Sequence, residues 1–226
     1  MVKNALKSAP LLNALSAEEI KLIEEISIVR TYAKTHHIFL QEEPIQNVLF
    51  LFEGRVKIYR NDANGREQIV AIHTNGEMFP HVGFFREGGY PAFAQALEQC
   101  TLIIIPKKEF EKILIYNPDM SKKMFHVLGE KIVDLQKRLE AQILNNSYEQ
   151  IIKLILRLGS DLGRKDSGGE IHVDLNITNQ DLAKMIGSTR ETISRTLSKL
   201  KKLGLLIETK EGYRYHPEKL MDELLL

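Results

Sequence analysis

Ile177–Leu206 reads ITNQDLAKMIGSTRETISRTLSKLKKLGLL, and this stretch decides how the rest of the chain is read. Thr178 stands where an N-cap would, with Asp181 three residues on, and Leu182, Ala183 and Ile186 then form one apolar face. Gly187 follows, a residue that accepts the left-handed geometry of a helix stop. Ser188 begins a second helix, with Glu191 completing a Ser-x-x-Glu capping box, and Ile193, Leu197 and Leu200 keep a core-facing stripe. Helix, tight turn and helix, the second one basic, is the arrangement that fits the DNA major groove.

The residues off that stripe sharpen the reading. Arg190 and Arg195 can grip guanine O6 and N7 bidentately, and Glu191 can accept from a cytosine amino group. Ser188, Thr189, Thr192, Ser194 and Thr196 are short enough to let a helix approach phosphate. The plainer alternative is a helical hairpin with a solvated charged face, in which Glu191 only closes the capping box. Charge is local: Asp181–Arg214 carries eight Lys and Arg against four Asp and Glu, while the whole 226-residue chain is only +1. A local basic patch suffices to steer a protein onto phosphate, and its binding weakens with salt.

Composition excludes several classes. Hydrophobic content of 43% and charged content of 27% are those of an ordinary globular protein. No apolar run approaches the roughly 18–20 residues of a membrane span, and the first residues lack a signal-peptide core, so a cytoplasmic location with no membrane partner is expected. One cysteine, Cys100, excludes an internal disulfide framework. There is no P-loop, nucleophile elbow, HExxH or paired-cysteine motif; His172 and Asp174 alternate on one strand, which is a weak signal, and no enzyme is expected.

Upstream, Ser16 and Glu19 open a short helix to about Ile26. From Ile28 to Pro106 short β-type runs follow: Ile38–Leu40, Val48–Phe52, Val56–Tyr59, Gln68–Ile72 and Leu102–Ile105. Turn signals separate them, Asn64-Gly65 being the best hairpin signal, and the pattern suggests a small barrel or roll. Lys108–Leu144 is helical, and Met120, Met124, Leu128, Ile132, Leu135, Leu139 and Ile143 form a stripe that suits burial within the chain or a two-stranded coiled coil. Asn145-Asn146-Ser147 reads as a hinge, Tyr148–Leu162 as a helix, and Ile171–Leu175 as a strand with Ile171, Val173 and Leu175 inward. Leu206–Thr209 and Tyr213–His216 read as a two-strand wing around Lys210-Glu211-Gly212, and Pro217–Leu226 as a short helix.

GSTRETISRTLSKLKKLGLL closely resembles the recognition helix of the cyclic-AMP receptor/FNR (Crp/Fnr) family of bacterial transcription regulators. The shared core is Arg190, Glu191, Thr192 and Arg195; Ser194 matches the FNR branch and Arg190 the receptor-protein branch. FLFEGRVKIYRNDANGREQIVAIHTNGEMF, Phe50–Phe79, resembles the family's cyclic-nucleotide-binding roll. The resemblance implies an α+β protein: an effector-sensing jelly roll over residues 1–115, a dimerisation helix over 116–145 and a winged helix-turn-helix over 146–226. It implies a homodimer joined through Met124, Leu128, Ile132, Leu135 and Leu139, with two recognition helices about 34 Å apart. Arg190, Glu191, Ser194 and Arg195 would read bases, and Gln180, Thr189, Thr192, Lys199 and Lys210 would meet phosphate. The expected operator is an inverted repeat of the TGTGA-N6-TCACA or TTGA…TCAA kind, and an activator would also touch RNA polymerase, with the Arg86–Gly89 loop a candidate by position.

The sensor residues depart from the family's nucleotide pocket. His81 stands where the phosphate-gripping run has glutamate, Pro91 and Ala92 where it has Arg and Ser, and Leu135 and Gln136 where hydroxyl residues face the base. Proline and alanine cannot replace a guanidinium on phosphate, so cyclic AMP is not the expected effector. Tyr90–Glu98 looks like the FNR branch, yet Ile103 occupies its internal cluster-cysteine position, and one cysteine cannot supply the roughly four thiolates of an iron–sulfur cluster. Some family members bind haem; His81 beside Phe79, Phe84 and Phe85 offers one axial imidazole, against the plainer reading of a loop histidine among phenylalanines. His36 and His37 read as exposed at a strand start, and His73 as capping a strand. His81, Phe84, Tyr90, Leu135 and Gln136 are the candidate pocket for another small ligand, or the apo protein is already competent. The competing class is a ligand-binding module that acts on protein partners through a vestigial helix-turn-helix.

Overall fold

The computed structural model describes residues 12, 16–62, 65–81, 87–144, 146–174, 177–209 and 212–224. The chain divides into two compact units, residues 1–133 and 134–226.

The first unit opens with α1 (Ala17–Ile26), closed by a reciprocal Ser16–Glu19 capping box. Eight strands follow: β1 (Ile28–Tyr32), β2 (His37–Phe39), β3 (Asn47–Glu53), β4 (Val56–Asn61), β5 (Glu67–His73), β6 (Met78–Phe79), β7 (Phe93–Ala96) and β8 (Cys100–Pro106). They form two antiparallel sheets, ordered β1-β8-β3-β6 and β2-β7-β4-β5. β3 and β8 are buried on both faces, which is why they read as continuous apolar runs instead of alternating ones. Leu49, Leu51, Leu102 and Ile104 join a core with Val56, Ala94 and Phe79 from the strands around them. Their neighbours Val48, Phe50, Ile103 and Ile105 face a second core, formed with Ile20 and Ile23 of α1 and with Phe110, Leu114, Met120 and Met124. A fully buried side chain of this size contributes roughly 1.5–3 kcal/mol, so these two strands anchor the unit.

Three strands were not separately legible: β1, whose residues are mostly exposed, the two-residue β6, and β7, built of Phe, Ala, Gln and Ala. The hairpin between β4 and β5 closes from Asp62 to Arg66, whose amide and guanidinium both bond the Asp62 carboxylate. Asn64 lies outside the described residues. His36 and His37 are exposed as expected, but His73 does not merely end a strand: it is 5% exposed and packed inside the unit.

The helical stretch expected as one element is two, α2 (Lys107–Tyr116) and α3 (Pro118–Leu144). Asn117 breaks it: its side-chain oxygen accepts from the Met120 amide at 3.2 Å, and its amide nitrogen donates to Glu19. The stripe along α3 also divides. Met120 and Met124 are buried and Leu128 is packed against the same core, whereas Ile132, Leu135 and Leu139 are each 57% exposed. Burial within the chain therefore accounts for only the first half of the stripe, and Met124 serves its own chain. The boundary between the compact units falls within α3, between Val133 and Asp134.

In the second unit, α4 (Ser147–Leu162) begins on an Asn146 cap boxed by Glu149, so Asn146 is a helix start rather than free hinge. Asn145 lies outside the described residues. β9 (Arg164–Lys165), β10 (Ile171–Asp174), α5 (Asn179–Ile186), α6 (Arg190–Lys202), β11 (Ile207–Glu208), β12 (Gly212–Tyr215) and α7 (Pro217–Asp222) complete it. The strands form one sheet, β11-β12-β10-β9. Ile151, Ile155 and Leu158 of α4 pack with Val173, Leu182, Ile193, Leu197, Leu200, Tyr215 and Leu220. Val173 and Ile171 face this core as expected; Leu175 is outside the described residues. Tyr215 reaches α4, where its hydroxyl donates to the Ile155 carbonyl at 2.9 Å. A Cβ on Gly159 would stand 1.9 Å from that hydroxyl, so the strand approaches the helix only because residue 159 has no side chain.

Candidate DNA-reading surface and effector position

The turn between α5 and α6 is built from the residue types its geometry requires. Thr178 caps α5 and Asp181 reaches back to the Thr178 amide at 3.0 Å. Gly187 is left-handed at φ 66°, and the amides of Gly187 and Ser188 both reach the Ala183 carbonyl. That use of its amide leaves Ser188 inside the turn. The cap of α6 is therefore Thr189, whose Oγ1 accepts from the Thr192 amide at 3.2 Å, and the Ser188–Glu191 capping box does not form. Glu191 is exposed and freed from the plainer of its two roles.

α6 turns Ile193, Leu197 and Leu200 inward and presents Arg190, Glu191, Ser194 and Arg195 to solvent. Among the described residues neither arginine is held in an ion pair. One surface hollow is lined by Thr189, Arg190, Glu191, Ser194 and Arg195; a second, by Ser194, Arg195, Ser198, Lys199 and Lys202. Ser198 and Lys202 thus extend the face beyond the residues singled out from sequence, and their spacing of four and seven from Ser194 and Arg195 was the signal. Thr196 is buried at 8% exposure and cannot meet phosphate. Thr192 shares a 3.0 Å contact between its hydroxyl and that of Thr189. Gln180 is exposed near the start of α5, and Lys210 lies outside the described residues.

Lys199 is engaged within its own unit. Its ammonium stands 3.9 Å over the Tyr148 ring and 3.9 Å from Glu223, which accepts from the Tyr148 hydroxyl at 2.7 Å. Burial and this carboxylate push the Tyr148 hydroxyl far up. Lys201 is likewise tied to Glu208 at 2.6 Å. These contacts fix the C-terminal half of α6 to the wing and to α7, while its N-terminal half stays open.

In the first unit, five rings run in sequence. His81 lies 5.5 Å from His73, His73 stacks on Phe79 at 5.0 Å, Phe79 touches Phe39 at 6.1 Å, and Phe39 stacks on Tyr90 at 3.8 Å. His81 and Tyr90 are thus the two ends of one row. Phe84 is outside the described residues, and Leu135 and Gln136 are exposed on α3 in the second unit. The fixed carboxylate here is Glu77, missed from sequence. It accepts from the Thr74 amide at 2.8 Å and from Lys131 Nζ at 3.2 Å, with His73 Nδ1 3.3 Å away. Burial opposes its charge, but His73, the Thr74 amide and Lys131 outweigh burial and hold it down to about 2. Burial, then the charges of His73 and Lys131, depress His81 to about 3, so its imidazole is neutral. Cys100 is fully buried, its Sγ 3.1 Å from the Arg55 carbonyl, and burial pushes its thiol up.

An antiparallel β-roll followed by a winged helix-turn-helix is the architecture of a DNA-binding transcription regulator. Residues 29–117 match the cyclic nucleotide-binding domain and residues 149–222 the Crp-like helix-turn-helix domain. The chain belongs to the Crp/Fnr family of transcription regulators, which are not enzymes. It is 28% identical over 191 residues to the global nitrogen regulator of Synechocystis sp., covering 84% of each chain. It is 23% identical over 167 residues to the CRP-like cAMP-activated global transcriptional regulator of Mycobacterium tuberculosis, covering 74% of each. FixK2 from Bradyrhizobium japonicum shares the fold, with a TM-score of 0.75 at 20% identity over 87% of this chain and 96% of that one. No helix among the described residues is long and apolar enough to cross a membrane.

Proposed function

We propose that the chain acts as a homodimer reading an inverted repeat of the TGTGA-N6-TCACA kind. The observation that carries this is the open N-terminal half of α6, where Arg190, Glu191, Ser194 and Arg195 form one exposed face backed by buried Ile193 and Leu197. Arg190 and Arg195 contact guanines, Glu191 an amino group and Ser194 a thymine, while Gln180, Thr189, Thr192, Ser198 and Lys202 meet phosphate. Arg190 supplies an extra guanine contact, which favours TGTGA over TTGA half-sites. The second copy covers the exposed end of α3. Phe125, Leu128, Ile132, Leu135 and Leu139 fall at alternating a and d positions of a heptad, and Phe125, at 71%, is exposed with the last three.

Cyclic AMP and an iron–sulfur cluster are not the signals in this reading. Pro91 and Ala92 offer no cation to a cyclic phosphate, and the one thiol is buried and protonated. Haem is likewise left out, since the rings of His73, Phe79, Phe39 and Tyr90 already pack against one another on the described side of His81. The effector is another small ligand, or the free dimer is already competent, and RNA polymerase is the further partner of an activator.

The test is fluorescence anisotropy with labelled TGTGA-N6-TCACA, TTGA-type and scrambled duplexes at fixed salt, with and without cyclic AMP. The expected result is selective binding to the first duplex, unchanged by the nucleotide. Arg195→Ala should weaken the specific complex by roughly 1–3 kcal/mol and relax discrimination at one base pair. Equal affinity for all three duplexes would sink the assignment.

A further inference from the structure

Away from α6, the wing sheet gathers metal-ligating side chains that the DNA-reading role does not use. β9 pairs with β10, and β10 with β12, both antiparallel. Glu170 precedes β10 and His172 lies two residues on, so both side chains fall on one face of the sheet. Asp166 faces Glu170 across the turn, its amide bonded to the Glu170 carbonyl at 3.0 Å. The turn fixes the Asp166 carboxylate, since Oδ1 accepts from the amides of Gly168 at 2.9 Å and Glu170 at 3.0 Å. Oδ2 is left for His172, whose Nε2 is 2.9 Å away. The same Nε2 is 3.9 Å from Glu170 Oε2, while the other Glu170 oxygen faces His216 Nε2 at 3.7 Å.

We propose that Asp166, Glu170 and His172 form a binding site for one first-row divalent metal ion of the zinc type, with His216 orienting Glu170 from behind. The three ligand atoms lie within 4.8 Å of one another, and among the described residues this is the one such group. A tetrahedral ion with bonds of ~2.0–2.1 Å separates its ligand atoms by about 3.3 Å, so the carboxylates and imidazole need only sub-ångström to ångström shifts to close on it. One nitrogen and two carboxylates favour zinc, cobalt or nickel over magnesium or calcium, which take oxygen alone. Two carboxylates and a neutral imidazole carry a charge of −2 that the ion cancels. In the ion-free site Nε2–H donates to Asp166. Coordination through Nε2 displaces that proton, which moves to Nδ1 in a neutral ring or leaves to solvent from a protonated one, so entry of the ion replaces the hydrogen bond without oxidation or group transfer. The competitor for Glu170 is Arg214, whose Nη1 is 3.8 Å away on a part-exposed side chain with a buried Nε. A fourth position stays open to water, because Asp166 and His172 are 40% and 34% exposed.

The experiment uses full-length protein stripped with chelator and titrated with Zn²⁺ by calorimetry and with Co²⁺ by visible absorption. One ion per chain is expected, with a cobalt spectrum showing imidazole ligation. Asp166→Asn and His172→Gln should each lower affinity by more than the ~10–100-fold that loss of an outer-shell partner costs, with circular dichroism reporting an intact fold. The exposed, near-isosteric Asp166→Asn keeps the test sharp should the histidine variant fold poorly. A double His36→Ala/His37→Ala variant should bind as before. Absence of stoichiometric binding, wild-type affinity in Asp166→Asn, or loss of binding only in the His36/His37 variant would each overturn the proposal.

Discussion

Gly159→Ala sets two physical effects against each other at one atom. In a free helix alanine is favoured over glycine by about 0.8–1 kcal/mol, so propensity alone predicts that α4 gains stability. The structure predicts the opposite, because the new methyl would sit 1.9 Å from the Tyr215 hydroxyl, 2.9 Å from its ring carbon Cζ and 3.0 Å from Ile171 Cγ2. Tyr215 is 2% exposed and cannot swing into water. Relief requires β12 to move off α4, which costs about 1–3 kcal/mol for overpacking and about 1 kcal/mol for the lost bond to the Ile155 carbonyl. The net expectation is a loss of about 1–3 kcal/mol, or roughly 4–20 °C in the melting temperature of a unit of this size. Far-ultraviolet circular dichroism during urea and thermal unfolding reads it. In a Tyr215→Phe background the hydroxyl is gone, so the same substitution should cost about 1 kcal/mol less. A stabilised Gly159→Ala protein, or equal costs in both backgrounds, refutes the claim that this glycine exists to admit the tyrosine.

Replacing exposed Leu135 by Asp should raise the dimer dissociation constant at least ~100-fold, about 2.7 kcal/mol, in analytical ultracentrifugation, without unfolding the chain; an undiminished dimer would remove α3 from the interface. For His81 the folded value lies below the ordinary one, so its contribution is present above pH 6.5 and is lost as pH falls from 6.5 toward 3. One proton gives a slope of up to about 1.4 kcal/mol per pH unit. Urea midpoints of the β-roll should therefore fall over that range and flatten in His81→Gln, and equal slopes would refute the burial argument. Glu77 adds a second loss at lower pH, from 4.5 down to about 2, and Glu77→Gln should abolish that part.

The recognition helix, its buried stripe and its left-handed glycine were legible because each rests on local residue type. The cap was misplaced by one residue because two hydroxyls, Ser188 and Thr189, stand side by side, and only the use of the Ser188 amide by the preceding turn decides between them. β3 and β8 were legible as apolar runs, but β7 was not, since its Phe, Ala, Gln and Ala become strand only by pairing with β2 and β4. The division of α3 into a buried half and an exposed half was hidden because Met124 and Ile132 obey the same spacing, and only the tertiary fold says which of them its own chain covers. Glu77, His73 and Lys131 were invisible as a cluster because Lys131 lies 54 residues from Glu77, although His73 is only four away.

Both helices of the DNA-reading motif carry a threonine cap, and α6 is further pinned at its far end through Lys199 and Lys201. Such a motif enters the groove already shaped. Association then spends little conformational entropy on the protein side, and the heat capacity change on binding reflects surface removed from water instead of helix formation. In the proposed complex, discrimination then rests on the four exposed side chains of α6 and on how far each duplex must bend or twist to meet them.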